Sequence, residues 1–308
     1  MIPIVIIGSG MAGLACARRL AGAGLAAIVL DKGRGIGGRV ATRRVGDLQF
    51  DHGAQYVNAH GEGFTAVLHS LGNAVGGWQD GTGRSHSVGV PGMSAIPKAL
   101  GAGLEIRQNA QVARLVQDDD GWALHLESTT LRAARVVMTV PAPQMAGLLG
   151  ADHPLVAALA PVRLAPCLTL MAAVAAPALF ITRQDADDPL AWIAQNSAKP
   201  GRPQGAATQW VAQAGEAFSQ THLEETPTEI TARMLPLLCD RLGVPIDRVS
   251  HASAHRWRYA RVTQPLGQPF LRSPDATLYL GGDWCIGPRI EAAWTSGTAI
   301  ANDILARG

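Results

Sequence analysis

The feature that most constrains this chain is a glycine-rich turn close to its start. Residues 3–7 are a continuous apolar run rich in Ile and Val, and Gly8, Gly10 and Gly13 follow with G-x-G-x-x-G spacing. Asp31 stands 18 residues beyond the last of these glycines. Such a run is typical of a strand buried on both faces of a parallel sheet. The glycine spacing is typical of a dinucleotide-binding turn, so the pattern predicts a Rossmann-like α/β domain.

The three glycines of this turn have different expected roles. Gly8 permits the tight turn after the strand, and Gly10 lets a pyrophosphate approach the backbone closely. Gly13 lets the following helix pack closely on the sheet. Together they predict a backbone that lies directly against a bound phosphate group.

A helix is predicted over residues 11–23, directly after the turn. Its first N–H groups, at Met11 and Ala12, are expected to face the pyrophosphate, because a helix N-terminus carries partial positive charge. Residues 27–30 are predicted to form the second strand, which Asp31 closes. A carboxylate there accepts hydrogen bonds from ribose hydroxyls and repels a 2′-phosphate.

A second glycine-rich segment decides which dinucleotide is expected. Residues 32–42 read Lys-Gly-Arg-Gly-Ile-Gly-Gly-Arg-Val-Ala-Thr, which resembles the Gly-Gly-Arg motif of the FAD-dependent amine oxidase superfamily. Gly38, with Gly37 before it, keeps the chain close to the cofactor, and Arg39 can place a guanidinium near its phosphates. Lys32 belongs to the same nucleotide turn. The resemblance implies FAD, rather than NAD, as the resident cofactor.

Four short strings together resemble a narrower group. They are Asp-Lys-Gly-Arg at 31–34, Asp-His-Gly-Ala-Gln-Tyr at 51–56, Trp-Arg-Tyr-Ala at 257–260 and Gly-Asp-Trp at 282–284. In combination they are similar to renalase and its bacterial relatives within the amine oxidase superfamily. The resemblance covers the whole length, although its specific motifs lie in the FAD-binding parts.

The resemblance implies an α/β fold with two interleaved domains. A Rossmann-like FAD-binding domain of the glutathione reductase and amine oxidase type is expected, together with a smaller α+β substrate domain. The FAD-binding domain is predicted from residues 1–59, 92–150 and 255–308. The substrate domain is predicted from residues 60–91 and 151–254.

The resemblance also implies which residues hold the FAD. Backbone groups of Gly53, Ala54 and Gln55 are expected beside the isoalloxazine ring. Asp283, after Gly282, is expected to bind the ribityl chain, and a helix over residues 291–306 would point its N-terminus at the flavin. The further expected contacts are Val112 on the adenine side and Arg289, Glu291 and Ala292 at the last helix, where Arg289 and Glu291 could instead cap the helix.

The implied activity is the oxidation of 2- or 6-dihydro isomers of NAD(P). Hydride transfer to flavin N5 aromatises the pyridine ring, and dioxygen reoxidises the flavin to give hydrogen peroxide. The residues expected at the reacting ring are Gln55, Tyr56, Trp257, Tyr259 and Trp284. Trp192 and Trp210, in predicted strands of the second domain, either stack a planar ring or pack in its core.

Two other functions remain open at this stage. Amine oxidases place a lysine near flavin N5, but the only lysines here are Lys32, Lys98 and Lys199, and none is expected at the ring. A flavin amine oxidase or desaturase acting on another small molecule is therefore the first alternative. A non-catalytic FAD-binding redox protein is the second.

Metal and covalent chemistry are not expected. Cys16, Cys167, Cys239 and Cys285 lie far apart and fit no metal or redox pattern. Cys285 does not stand in the context of a cysteinyl flavin link, so non-covalent FAD is expected. The histidines at 251 and 255 have no carboxylate partner motif that would indicate a metal site.

Composition argues against partners other than small molecules. The formal net charge is +2, the charged fraction is 16%, and no basic run indicates nucleic-acid binding. No apolar segment approaches about 18 residues, so no membrane span is expected. The N-terminus lacks the basic region of a signal peptide. These features predict a cytoplasmic enzyme with reduced thiols.

Overall fold

The structure is a computed structural model that describes residues 2–307. In that range the strands are β1 (Ile2–Ile7), β2 (Ile28–Leu30), β3 (Arg43–Val45), β4 (Leu48–Phe50), β5 (Val75–Gln79), β6 (Ser85–Gly89), β7 (Glu105–Arg107), β8 (Val112–Asp118), β9 (Gly121–Leu126), β10 (Thr130–Met138), β11 (Arg163–Val174), β12 (Thr182–Gln184), β13 (Trp192–Gln195), β14 (Thr208–Gln213), β15 (Val249–Gln264), β16 (Leu271–Arg272) and β17 (Leu278–Leu280). The α-helices are α1 (Met11–Ala21), α2 (Glu62–Ser70), α3 (Ala95–Leu100), α4 (Met145–Leu149), α5 (Pro154–Ala157), α6 (Glu216–Thr221), α7 (Pro227–Leu242) and α8 (Ile290–Ala306).

The larger sheet has the strand order β16-β17-β10-β1-β2-β7, with β8 and β9 joined to β10 as an antiparallel extension. Strands β7, β2, β1, β10 and β17 are parallel. Ile4 and Ile6 of β1 pack under α1 and α8, whereas Val5 and Ile7 pack on the other side with β8, β9 and α4. Both faces of β1 are covered, which explains its uninterrupted apolar sequence. The predicted Rossmann-like α/β fold is confirmed.

The smaller sheet is antiparallel, with the order β12-β13-β14-β11-β15. Side chains of β11 alternate between its two faces. Leu168 and Leu170 pack against α7, whereas Met171 and Ala173 pack against Phe50 at the end of β4. The second face therefore lies over the chain that follows β4, where the motif at residues 51–56 begins.

Strand β15 crosses the predicted domain boundary at residue 255. It continues to Gln264, and its register with β11 runs from Val249 opposite Val174 to Gln264 opposite Arg163. Leu159 and Val162, before β11, pack in the core of the larger sheet. Charged side chains interrupt the apolar pattern of this strand. Arg256, Arg258 and Arg261 reach Glu224 or Glu216 on the outer surface.

Helices α1 and α8 come into unusually close contact at a glycine. A Cβ atom added to Gly297 would lie 1.9 Å from the carbonyl oxygen of Ala12. Only a glycine permits this backbone approach, and it holds the C-terminal helix against the nucleotide-binding helix.

Gly297→Ala should therefore destabilise the protein by about 3 kcal/mol, at the upper end for overpacking, because the two helices must separate. Thermal unfolding would measure this. Gly147→Ala in α4 is the matched control, since a Cβ there meets nothing within 4 Å, and it should leave the melting temperature equal or slightly higher. Equal melting temperatures for the two variants would contradict the assigned packing.

Candidate active site

The N-terminus of α1 is open. Gly10 is its N-cap, no side chain caps the helix, and a Cβ added to Gly10 would meet nothing within 4 Å. A Cβ on Gly13, by contrast, would lie 2.0 Å from the carbonyl oxygen of Gly8. The side chains of Met11 and Ala12 are buried. The first turn is therefore free of capping side chains at the position where a phosphate group is predicted.

Asp31 lies beside this turn. Its carboxylate accepts hydrogen bonds from the backbone N–H and hydroxyl of Ser9 at 2.6 and 2.7 Å and from the N–H of Gly33 at 2.7 Å. These bonds tie the first glycine turn to the second. Each carboxylate oxygen has further acceptor capacity, so the half-buried group can also receive ribose hydroxyls.

Arg39 is held by the other end of the chain. It donates two hydrogen bonds to the Asp283 carboxylate, at 2.8 and 2.6 Å, and one to the carbonyl of Ala260 at 3.0 Å. Ala260 lies where β15 bulges opposite Pro166, between two paired stretches of β11. A bulge leaves backbone groups unpaired in the ladder, and the proline has no N–H to donate. Arg39 is therefore directed at Asp283, whereas the sequence predicted that it points at phosphates.

A buried charged group, the Asp51 cluster (Asp51, Gln55, Lys199 and Arg202), supports the motif at residues 51–56. The Asp51 carboxylate accepts from Arg202 Nε at 3.2 Å and from Lys199 Nζ at 3.5 Å. All three charged side chains are fully buried. Burial alone would raise the pKa of Asp51, but the two cations and the hydrogen bonds hold it below its ordinary value. The cluster thus contains two cations and one carboxylate.

Lys199 lies beside the motif at residues 51–56, although none of the three lysines was expected at the flavin ring. Its ammonium donates to Gln55 Oε1 at 3.1 Å and stands 5.4 Å from the ring centroid of Trp78. Burial lowers the pKa of Lys199 to about 8, although Asp51 opposes the shift. The sequence placed Lys199 in a loop, and the structure folds that loop inward against the motif.

Gln55 has less freedom than predicted. Its amide nitrogen donates to the carbonyl oxygens of Asp51 and Gly53, and its oxygen accepts from Lys199. Its side chain therefore shapes the loop rather than facing a ligand. The predicted flavin contacts of Gly53 and Ala54 are already partly bonded within the protein, because the Gly53 carbonyl also accepts from Gln213 and the Ala54 N–H donates to the carbonyl of Arg39.

Tyr56 lies in what we call the Tyr56 aromatic group (Tyr56, Trp78, His86 and Trp192). The Tyr56 ring stacks on His86 at a centroid distance of 3.9 Å, and Trp78 and Trp192 flank it at 6.5 and 5.9 Å. His86 is fixed by Asn58 on one ring nitrogen and Asp80 on the other. The hairpin of β5 and β6 and the start of β13 thereby enclose Tyr56 with aromatic surface.

Trp257 reaches the same loop from β15. Its indole N–H donates to the carbonyl of His52 at 2.8 Å, and its ring stacks on that of His52 at 5.3 Å. His255 meets His52 edge-on at 4.9 Å. Burial, with neighbouring Arg43, lowers the pKa of His52 to about 3 and of His255 to about 4. These histidines are neutral near pH 7, and Trp257 packs against the loop at His52.

Two further residues that were predicted at the reacting ring, Trp284 and Tyr259, lie outside the Tyr56 aromatic group. Trp284 is fully buried in the core of the larger sheet and donates its indole N–H to the carbonyl of Val140. It is a packing residue, so the predicted contact with substrate is wrong. Tyr259 is half-buried at the β15 bulge, next to Arg39's partner Ala260.

The remaining predicted cofactor contacts are distributed around the larger domain. Glu291 accepts from the N–H groups of His60 and Gly61, which attaches α8 to the chain before α2. Arg289 and Lys32 are exposed, whereas Ala292, Gly282 and Val112 are buried. Within residues 2–307 no group of three His, Cys, Asp or Glu side chains is arranged to hold a metal ion, at His251 and His255 or elsewhere. No helix in that range is long and apolar enough to cross a membrane.

These residues fit FAD. The open N-terminus of α1 accommodates a pyrophosphate, Asp31 is placed for a ribose, and Asp283 is paired with Arg39 of the second glycine-rich segment. Sequence reasoning missed Lys199, Arg202, Trp78 and His86. Two features of the sequence could have indicated Lys199 and Arg202. Lysine is rare in this chain, and these two cationic residues lie three positions apart.

Comparisons with known proteins agree with this fold. The family described as flavin containing amine oxidoreductase matches residues 78–305, and the NAD(P)-binding Rossmann-like domain matches residues 6–71. The chain is similar in structure to putrescine oxidase bound to putrescine, with a TM-score of 0.77, and to cyclohexylamine oxidase from Brevibacterium oxydans, with a TM-score of 0.75. Each shares 14% sequence identity over 99% of both chains. The predicted amine-oxidase-type fold and FAD cofactor are confirmed.

Asp283→Ala should weaken FAD binding by about tenfold or more, because it removes a predicted ribityl contact and leaves the Arg39 cation without its carboxylate. Bound flavin per chain after dialysis measures the effect. Asp118→Ala, which breaks an exposed Asp–Arg pair of similar geometry with Arg132, is the control and should retain FAD. Full, tight occupancy in Asp283→Ala would contradict the assignment.

Lys199 should make stability depend on pH above neutrality. Its folded pKa lies below the ordinary lysine value, so the unfolded chain binds more protons between about pH 8 and 10. The free energy of unfolding of the wild type should therefore rise with pH in this window, relative to Lys199→Met, by up to about 1.4 kcal/mol per pH unit.

Denaturant unfolding at a series of pH values would measure this difference. Lys98→Met is the matched control, because Lys98 is exposed, and it should follow the wild type across the window. A constant difference between the wild type and Lys199→Met would show that Lys199 does not lose its proton there.

Proposed function

Since the chain belongs to the family of flavin-containing amine oxidoreductases, we propose that it is an FAD-dependent oxidase of the renalase type. Its substrates are 2- or 6-dihydro isomers of NAD(P). One substrate molecule, one dioxygen and one proton give NAD(P)+ and hydrogen peroxide, so two electrons pass from substrate to oxygen. Membership of this enzyme family argues against a non-catalytic role.

The observation that carries the proposal is the charge around the candidate site. Among the residues that the structure describes, two carboxylates form ion pairs with side chains of the Asp51 cluster and the Tyr56 aromatic group. Asp51 is paired with Lys199 and Arg202, and Asp80 with His86. Neither is left to bind a cationic amine. Lys199, over the face of Trp78, would repel such a substrate, whereas a dinucleotide carries negative phosphates.

A second positive surface supports an anionic substrate. An open depression of about 710 Å³ lies at the edge of β15, beside the start of α7. Arg43, His255 and Arg256 line it, and His255 contacts His52 next to the motif at residues 51–56. A dinucleotide whose nicotinamide reaches the motif could extend its phosphates towards the guanidinium groups of Arg43 and Arg256.

The proposed reaction does not require a side chain of the protein to act as an acid or a base. Bound FAD supplies the hydride acceptor and the reactivity with dioxygen. In the dihydronicotinamide isomers the ring nitrogen carries the ribose and no proton, so hydride loss alone makes the ring aromatic. The chain must hold the ring flat and exclude water, which suits the aromatic surfaces of Tyr56, Trp192 and Trp257.

A flavin amine oxidase is the second candidate. The similarity to putrescine oxidase and cyclohexylamine oxidase favours it, and so does the position of Lys199 beside the motif. With a pKa of about 8, Lys199 could accept a proton from an ammonium substrate.

Anaerobic mixing of the holoenzyme with an isomeric mixture of reduced NAD separates these candidates. We expect the visible absorbance of oxidised flavin to bleach rapidly, and to return with hydrogen peroxide when oxygen is admitted. A panel of primary and secondary amines should leave the absorbance unchanged. Bleaching by an amine, with none by the dihydronicotinamide isomers, would replace the proposed function with the second candidate.

A further inference from the structure

Two indole N–H groups in the Tyr56 aromatic group lack acceptors. The Nε1 atoms of Trp78 and Trp192 are buried, and neither has a hydrogen-bond partner within the described residues. Trp78 is only 6% exposed. Both rings flank Tyr56, at 6.5 and 5.9 Å. Buried donors of this kind are rare, because each loses its hydrogen bond to water without replacement.

Three other tryptophans of the chain have a hydrogen-bond acceptor for the same indole N–H. Trp122 donates to Thr277, Trp257 to the carbonyl of His52, and Trp284 to the carbonyl of Val140. The two unpaired indole donors lie next to the same tyrosine, and the third buried side-chain atom without a partner among the described residues is Nδ1 of His52. This clustering indicates a common acceptor.

The chemistry of the surroundings narrows the class of that acceptor. An indole N–H only donates, so the ligand must present a lone pair. Lys199, 5.4 Å from the Trp78 ring centroid, disfavours a cation. Tyr56, fixed from behind by its stack on His86, offers a rigid aromatic surface that suits a planar ring. A neutral aromatic or dihydroaromatic ring bearing a carbonyl group meets all three conditions.

We propose that Trp78 and Trp192 form a subsite for the carboxamide oxygen of the nicotinamide ring, with Tyr56 beside the ring plane. A carboxamide oxygen has two lone pairs, so it can accept from both indoles. This inference rests on the proposed function, because it names the group by which that substrate is recognised. The subsite makes Trp78 and Trp192 specificity-determining residues.

Binding of nicotinamide to the oxidised holoenzyme tests the subsite without turnover. In 15N–1H spectra, the indole signals that disappear in Trp78→Phe and Trp192→Phe should shift when nicotinamide is added. They should shift much less with 3-methylpyridine, which keeps the ring but has no carbonyl oxygen. Each Phe variant, which keeps an aromatic ring, should bind nicotinamide about threefold to tenfold more weakly. Trp122→Phe is the control and should bind it like the wild type.

Three outcomes would overturn the subsite. The indole signals could remain unchanged with nicotinamide up to its solubility limit, or shift equally with 3-methylpyridine, which would indicate ring stacking alone. They could also already show strong hydrogen bonding in the holoenzyme and not respond to nicotinamide, which would assign the acceptor to the flavin.

The subsite and the proposed function can fail separately. Flavin bleaching by dihydronicotinamide isomers, with unresponsive indoles, would retain the function and reject the subsite. Indoles that respond to nicotinamide, in a protein whose flavin only amines bleach, would retain a carboxamide-binding subsite and reject the function.

Discussion

The buried carboxylate of Asp51 is the interaction on which the candidate site depends. One oxygen accepts from Thr42 and from the N–H of Met93, and the other accepts from Lys199 and Arg202. These partners come from three separate parts of the chain, and Asp51 fixes them around the motif at residues 51–56. A buried carboxylate is tolerated only when such partners replace its hydration. The same cluster therefore determines both the shape of the loop and the positive charge behind it.

That charge links packing to the choice of substrate. With two cations for one carboxylate, the Asp51 cluster favours a neutral or anionic ligand over an ammonium group. The Tyr56 aromatic group, joined to the cluster by the contact between Lys199 and Trp78, adds flat aromatic surfaces and indole donors. The Arg39–Asp283 pair has a complementary role, because it joins the first and last FAD-binding segments. FAD can then bind between elements that are far apart in sequence.

Several expectations changed because sequence adjacency does not fix the direction of a side chain. Trp284 directly follows Asp283, yet its ring enters the core of the larger sheet. Gln55 lies in the motif, but three hydrogen bonds turn its amide back onto the loop. Lys199 lies in a segment without regular pattern, and that segment is one of the most deeply buried parts of the site. For Trp284 and Lys199 packing between distant elements decides where the group points, whereas Gln55 is fixed by two local hydrogen bonds and one distant one.

The sequence by itself determined the nucleotide-binding half of this protein. The apolar run of β1, the glycines at 8, 10 and 13, and Asp31 specify a strand, a turn and a helix through local backbone geometry and short-range contacts, which a motif encodes directly. The arrangement of side chains around the motif at residues 51–56 was decided only by the tertiary structure. The contacts of Asp51 with Lys199 and of Tyr56 with Trp192 span more than a hundred residues, and no local pattern records them. They form only when the second sheet closes over the motif, because burial then forces each polar group to find a partner.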